Sequence, residues 1–133
     1  MELDKASKDR SYLFGRLLAI AEKVERSTYE RDEGREPAAI RLQAAFAAHP
    51  FRTWATIEKM LTPYYAKLKP GSRRYYRDRI GEIIAAMPEA DAIKLNLPLE
   101  DTYLLGYYLQ RCELNSGKQN YAENEATDCS NDE

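Results

Sequence analysis

Histidine is nearly absent: His49 is the only one in the chain. It stands directly before Pro50, where it reads as a helix-boundary residue rather than a general base. Cysteine is scarce as well, with only Cys112 and Cys129. No histidine–cysteine cluster has the spacing of metal ligands, so neither a metal nor another cofactor is expected. Cys112 falls in a helical stretch and Cys129 in a polar tail, which argues against a disulfide framework and for a reducing cytoplasm. Cys112 reads as a small apolar residue, not a nucleophile. The sequence also lacks a phosphate-binding glycine loop and a G-x-S-x-G nucleophile elbow. Carboxylates are plentiful, but no pair stands out from the charged helix surfaces. No catalytic residue is expected, and the chain reads as a non-enzyme.

Long apolar runs are missing too. None approaches the roughly 20 residues that span a bilayer. The first residues carry charge with no apolar segment behind them, unlike a secretory signal. Strand patterns of any length are absent. What remains is an all-α protein, and its 133 residues fit one domain.

Five helices are expected in a compact bundle. Leu13, Leu17, Ile20, Ala21 and Val24 repeat at helical spacing, and Phe14 and Leu18 widen the stripe, so this helix should be covered on more than one side. Ser7 or Asp9 can cap its start, and it should run to about Arg31. Pro37 suits the first turn of a second helix reaching about Ala48. His49-Pro50 restarts the chain, and Trp54, Ile57, Leu61, Tyr64, Tyr65 and Leu68 mark a third helix. Pro63 lies within it and predicts a kink or break near Leu61-Thr62. Pro70-Gly71-Ser72 supplies a turn with Ser72 as N-cap of helix four. Tyr76, Ile80, Ile83, Ile84 and Met87 line its buried side. Helix five covers about Glu100 to Asn115, with Glu100 and Asp101 at its positive end.

Tyr12-Leu13-Phe14-Gly15 and Tyr103-Leu104-Leu105-Gly106 share a short Tyr-Leu-x-Gly pattern. Glycine inside a helix costs about 1 kcal/mol relative to alanine, so both glycines suggest close packing on a neighbour. Residues 1–115 form the helical domain in this reading. Residues 116–133 form a disordered acidic tail, with Glu123, Glu125, Asp128, Asp132 and Glu133 against Lys118. It has no Ile, Leu or Val with which to offset its ordering entropy.

The richest stretch is Tyr64 to Arg79. Lys67, Lys69, Arg73, Arg74, Arg77 and Arg79 face only Asp78 there, and two tyrosine pairs flank the Pro-Gly turn. Such a run is usually a solvated helix face. It is also what a groove for phosphates and bases requires. At 100° per residue, Arg74 and Tyr75 point away from the apolar side of helix four, with Arg77 and Arg79 on opposite flanks. Arg73 lies nearer the apolar side. Lys67 and Lys69 arrive from helix three, and Arg52 and Lys59 extend the patch. Tyr64, Tyr65 and Tyr76 fall on apolar faces, which leaves Tyr75 to stack on a base. No base-edge reading device is evident, so the expected contacts are to phosphate and independent of sequence.

Tyr12 to Lys23, Arg41-Leu42 through His49-Pro50, Ile80-Gly81-Glu82-Ile83, Leu97-Pro98-Leu99-Glu100 and the run Leu104-Leu105-Gly106-Tyr107-Tyr108-Leu109-Gln110-Arg111 resemble the C-terminal region of the large subunit of the type I-C CRISPR surveillance complex, Cascade. In that family the region is also made separately, from an internal start codon, as the small subunit. The resemblance implies a helical bundle, present in more than one copy, that helps hold the displaced non-target DNA strand of the R-loop. Its implied partners are the large subunit, the backbone subunits, further copies of itself and the crRNA-containing complex. It implies no nuclease activity, which belongs to a recruited helicase-nuclease. A reading from another class stays open beside it: a helical protein–protein adaptor whose basic face meets acidic protein surfaces and no nucleic acid.

Overall fold

The computed structural model describes residues 2–28 and 36–117. All regular structure among them is helical: α1 Arg10–Ser27, α2 Ala38–Arg41, α3 Gln43–Ala48, α4 Pro50–Lys67, α5 Pro70–Ala85, α6 Ala92–Leu95 and α7 Thr102–Gly117. The expected disordered tail lies outside the described residues from position 118 on. So does Cys129; Cys112, on α7, is disulfide-bonded, against the expectation of no disulfide.

α1 is the axle of the fold and packs against α7, α4, α5 and α2. Its apolar stripe is wide enough to be covered from all of these sides: Leu13, Leu17, Leu18, Ile20 and Val24 are completely buried, and Phe14 nearly so. Each such side chain contributes about 1.5–3 kcal/mol on leaving water. Asp9, one of the two expected caps, starts the helix by accepting a hydrogen bond from the Tyr12 N–H at 2.9 Å. The helix closes at Ser27, short of Arg31. The Thr28 hydroxyl donates to the Glu25 carbonyl at 2.8 Å, a local bond that competes with continuation of the helix.

The shared Tyr-Leu-x-Gly pattern is the contact between α1 and α7. A Cβ on Gly15 would lie 1.9 Å from the Tyr103 carbonyl oxygen, and one on Gly106 would lie 2.2 Å from that of Tyr12. Each glycine therefore receives the backbone of the other motif's tyrosine. The two helices run parallel. Thr102 donates to Asp9 at one end (3.0 Å), and Lys23 donates to Asn115 at the other (3.3 Å).

Three charged residues of α1 are buried with this seam and satisfied locally. Arg16 Nε donates to Gln110 Oε1 at 2.7 Å, and burial pulls its guanidinium below its ordinary value. Glu22 accepts from Arg26 at 2.8 Å and from the Tyr107 hydroxyl. Burial first, and that carboxylate second, push the Tyr107 phenol up to about 12. Glu25 accepts from the Ala38 N–H at 2.8 Å, at the buried donor end of α2.

The predicted second helix is divided. α2 and α3 meet at Leu42, whose ψ of 15° departs from helical geometry, and Pro37 stands at the N-cap of α2 rather than inside its first turn. α4 continues through Pro63 to Lys67, so the expected break near Leu61 does not occur. Pro63 is exposed, which leaves its missing hydrogen bond on the side that water can reach. α5 begins at Pro70, with Lys69 as N-cap, so Ser72 lies within the helix instead of capping it. The fixed φ of proline is already that of a first helical residue. Ile84 was expected on the buried side of this helix but is 45% exposed.

Candidate nucleic-acid interface

Leu68 and Lys69 alone connect α4 to α5, both extended at ψ near 150° (153° and 150°). α5 then packs on α1, with Arg77 of α5 facing Tyr65 of α4 near the corner. The α4 and α5 backbones stay apart over most of their length. The fold thus brings the end of one basic helix against the start of another.

Arg73 is taken up by this corner. Its Nε donates to the Tyr65 carbonyl at 3.0 Å and its Nη2 to the Leu68 carbonyl at 3.2 Å. Both carbonyls lie at the C-terminus of α4, where that of Tyr65 also accepts from the Leu68 N–H at 3.1 Å and a cation meets the negative end of the helix dipole. Arg79 is engaged as well. It forms a two-point ion pair with Glu82, at 3.0 and 2.6 Å, and lies 5.0 Å from the centre of the Tyr75 ring. The hydrogen bonds of that pair raise the Arg79 guanidinium and hold the Glu82 carboxyl below its ordinary value. Tyr75 is 38% exposed and packs edge-on against the buried Tyr76. Tyr75 and Arg79 share the flank of α5 turned about 180° from Arg77.

Lys67, Lys69, Arg74 and Arg77 form a different group. All four are exposed. Lys67 reaches over the Tyr64 ring at 5.9 Å, and the Arg77 guanidinium lies 4.5 Å from the centre of the Tyr65 ring. Burial pushes the Tyr65 phenol up to about 12, with the charge of Arg77 pulling the other way. No ion pair joins any of the four to a carboxylate among the described residues. The first turn of α5 contains no acidic residue and its N-cap makes no side-chain hydrogen bond. The positive end of the α5 dipole therefore adds to the field of Lys69 and Arg74. Like charge placed there costs helix stability and strengthens attraction for an anion.

Arg52 does not join them. It sits in the first turn of α4, about 22 Å from Lys67 at 1.5 Å per residue, where its N–H donates to Asn96 at 2.9 Å. Glu89, Asp91, Glu100 and Asp101 give the neighbouring segments the opposite sign. Of the residues expected from sequence, the structure thus assembles Lys67, Lys69, Arg74 and Arg77, fixes Arg73 as a cap, pairs Arg79 and sets Tyr75 on the far flank.

A groove of about 490 Å³ runs beside the group between α4 and α5, lined by Lys59, Tyr65, Arg77, Ile80, Gly81 and Ile84, with Glu58 and Thr62 completing the wall. Sequence reasoning missed it. The available signals were Gly81 in mid-helix without a partner motif, and an isoleucine at position 84 in register with Arg77. Glu82, three residues after Arg79, was a legible partner by helical spacing. Among the described residues there is no group of three or more histidine, cysteine or acidic side chains placed to hold a metal ion. No described helix is long and apolar enough to cross a membrane.

Comparison with known proteins turns on the same helical body. The family model described as CRISPR-associated protein (Cas_Csd1) matches residues 1–115, and the chain belongs to that family. None of the curated proteins compared with the chain matches it.

Proposed function

Starting from membership of this CRISPR-associated family, we propose that the chain is the small subunit of a type I-C surveillance complex, corresponding to the C-terminal region of the large subunit made from an internal translation start. In this reading it is a non-catalytic cytoplasmic protein that stabilises the R-loop by holding the displaced non-target DNA strand. The observation that carries the DNA contact is the group Lys67, Lys69, Arg74 and Arg77, exposed around the α4–α5 corner without carboxylate partners among the described residues, beside a helix N-terminus that has no acidic first turn. Cations arranged this way attract phosphate without reading bases.

The test is the triple variant Lys69→Glu, Arg74→Glu, Arg77→Glu in the assembled complex. R-loop formation should fall steeply while assembly is retained. For the wild type, log affinity for single-stranded DNA should decline linearly with log salt, by about 0.7 for each phosphate contacted. Unchanged R-loop formation in the variant would remove this site from the mechanism.

The adaptor reading draws on the other end of the molecule, where Ile93, Leu97 and Leu104 are 77%, 51% and 47% exposed. Apolar side chains in such number suit packing against a neighbouring protein. If the charge variant no longer joins the complex while the isolated chain binds single-stranded DNA as the wild type does, the basic corner too belongs to a protein interface.

A further inference from the structure

We propose that the groove between α4 and α5 receives an unstacked base of single-stranded DNA, with the Arg77 guanidinium as its stacking platform. This rests on the strand-binding reading above and gives that site a second kind of contact.

Three independent features of the groove point this way. The Arg77 guanidinium lies over the Tyr65 ring, 4.5 Å from its centre, and Arg77 is itself exposed. The aromatic ring thus holds the guanidinium at the groove wall, where a base can stack on it. The floor is apolar: Ile80 is buried, but Ile84 is 45% exposed and turned into the groove. Gly81 stands between them with nothing within 4 Å of where its Cβ would be. Gly15 and Gly106 are explained by backbone contact, whereas Gly81 weakens its helix without gaining any packing among the described residues. What it provides is a flat wall for a planar group.

The charges fit a nucleotide better than a small apolar ligand. Lys59 and Arg77 stand on the groove, and Lys67, Lys69 and Arg74 lie outside it at the corner. Glu58, also on the wall, repels a phosphate and not a base. The arrangement therefore puts the base inside and the backbone along the outer cations, as in stacking platforms for single strands. At about 490 Å³ the space falls in the range of ligand-sized pockets.

The same open space makes the test clean. A Cβ at position 81 meets no heavy atom within 4 Å, so Gly81→Leu places its side chain in the groove, and leucine favours the helix over glycine. Binding of the full chain to an oligothymidine and to an abasic strand of equal length would be followed by fluorescence anisotropy across a salt series. Gly81→Leu should lose about tenfold in affinity for oligothymidine with its salt slope unchanged, since only the stacking is removed. On the abasic strand, wild type and variant should bind alike. Equal binding of oligothymidine by wild type and Gly81→Leu overturns the proposal, as does a wild type that fails to distinguish the two strands. The variant Lys69→Glu, Arg74→Glu, both residues outside the groove, separates the two ideas. If it weakens binding while Gly81→Leu does not, the backbone-charge reading stands and the base site falls. If neither has an effect, both fall. Unchanged strand binding by Gly81→Leu together with failed assembly would give the groove to a partner helix and likewise overturn the proposal.

Discussion

Two helix pairs in this protein solve opposite problems. α1 and α7 approach so closely that glycine backbones interlock, and the buried Arg16 and Glu22 find partners across the seam. α4 and α5 are joined by a tight corner yet stand apart, with cations exposed at their junction and a groove between them. The first pair contributes stability through contact. The second accepts like charge at a helix N-terminus, open apolar surface and an unpacked glycine, all of which cost stability within the isolated chain. A region built against its own stability in several ways at once is where an external partner is to be sought.

The most severe way to break this contrast is Gly15→Ala. The new Cβ would sit 1.9 Å from one backbone atom of α7 and 2.8 Å from two others, none of which can rotate aside. The helices must separate, and the contacts along the buried face of α1 loosen with them. Overpacking of this kind costs about 1–3 kcal/mol, and a backbone clash belongs at the upper end. The better helix propensity of alanine returns only about 1 kcal/mol. Urea denaturation should therefore show a lower midpoint, and Gly106→Ala should behave the same way. If Gly15→Ala is as stable as the wild type, the close seam is not as described.

Arg73 tests the contrast from within the basic corner. Arg73→Ala removes two hydrogen bonds from the carbonyls that end α4, which should cost about 1 kcal/mol or somewhat more. Its effect on the salt dependence of strand binding should be slight. Arg74→Ala, one residue on, should do the reverse: stability unchanged, and a salt slope shallower by about 0.7. Denaturant titration paired with binding at several salt concentrations reads both. If Arg73→Ala flattens the slope as Arg74→Ala does, the guanidinium is not reserved for the helix end.

How far the sequence revealed this division depended on the kind of interaction. Helical periodicity located α1 and the buried faces of α4 and α5, because apolar spacing is a direct image of a helix face. The Gly15 and Gly106 echo was visible as a pattern, and the seam supplied its meaning. Charge composition marked the basic corner but could not sort its members. Arg73 and Arg74 are neighbours in the chain, and only the fold decides which of them meets a helix terminus. Arg52 looked like an extension of the patch because a linear count ignores the length of an 18-residue helix. Pro63 and Pro70 misled in the opposite direction. Pro63 predicts a kink or break and Pro70 a turn, whereas α4 continues past the exposed Pro63 and Pro70 is the first residue of α5. The groove was hidden because it depends on how far two helices stand apart, which no single-helix pattern encodes.

The smallest expected effect is the sharpest comparison, because it repeats the Gly15 substitution where nothing opposes it. Gly81→Ala places a methyl group into open space on α5, with no heavy atom within 4 Å. Nothing is lost in the fold, and the backbone entropy of glycine in the unfolded chain is reduced. Stability should rise by roughly 0.5–1 kcal/mol, a gain of a few degrees in Tm, opposite in sign to the change at Gly15. A methyl group fills little of the groove, so strand binding should change far less than with Gly81→Leu. Thermal unfolding of the two alanine variants side by side checks the pair. A loss of stability at Gly81 would mean that α5 packs closely against another element there, and the groove would have to close. A gain would mean that position 81 faces open space in the folded chain, as the groove between α4 and α5 requires.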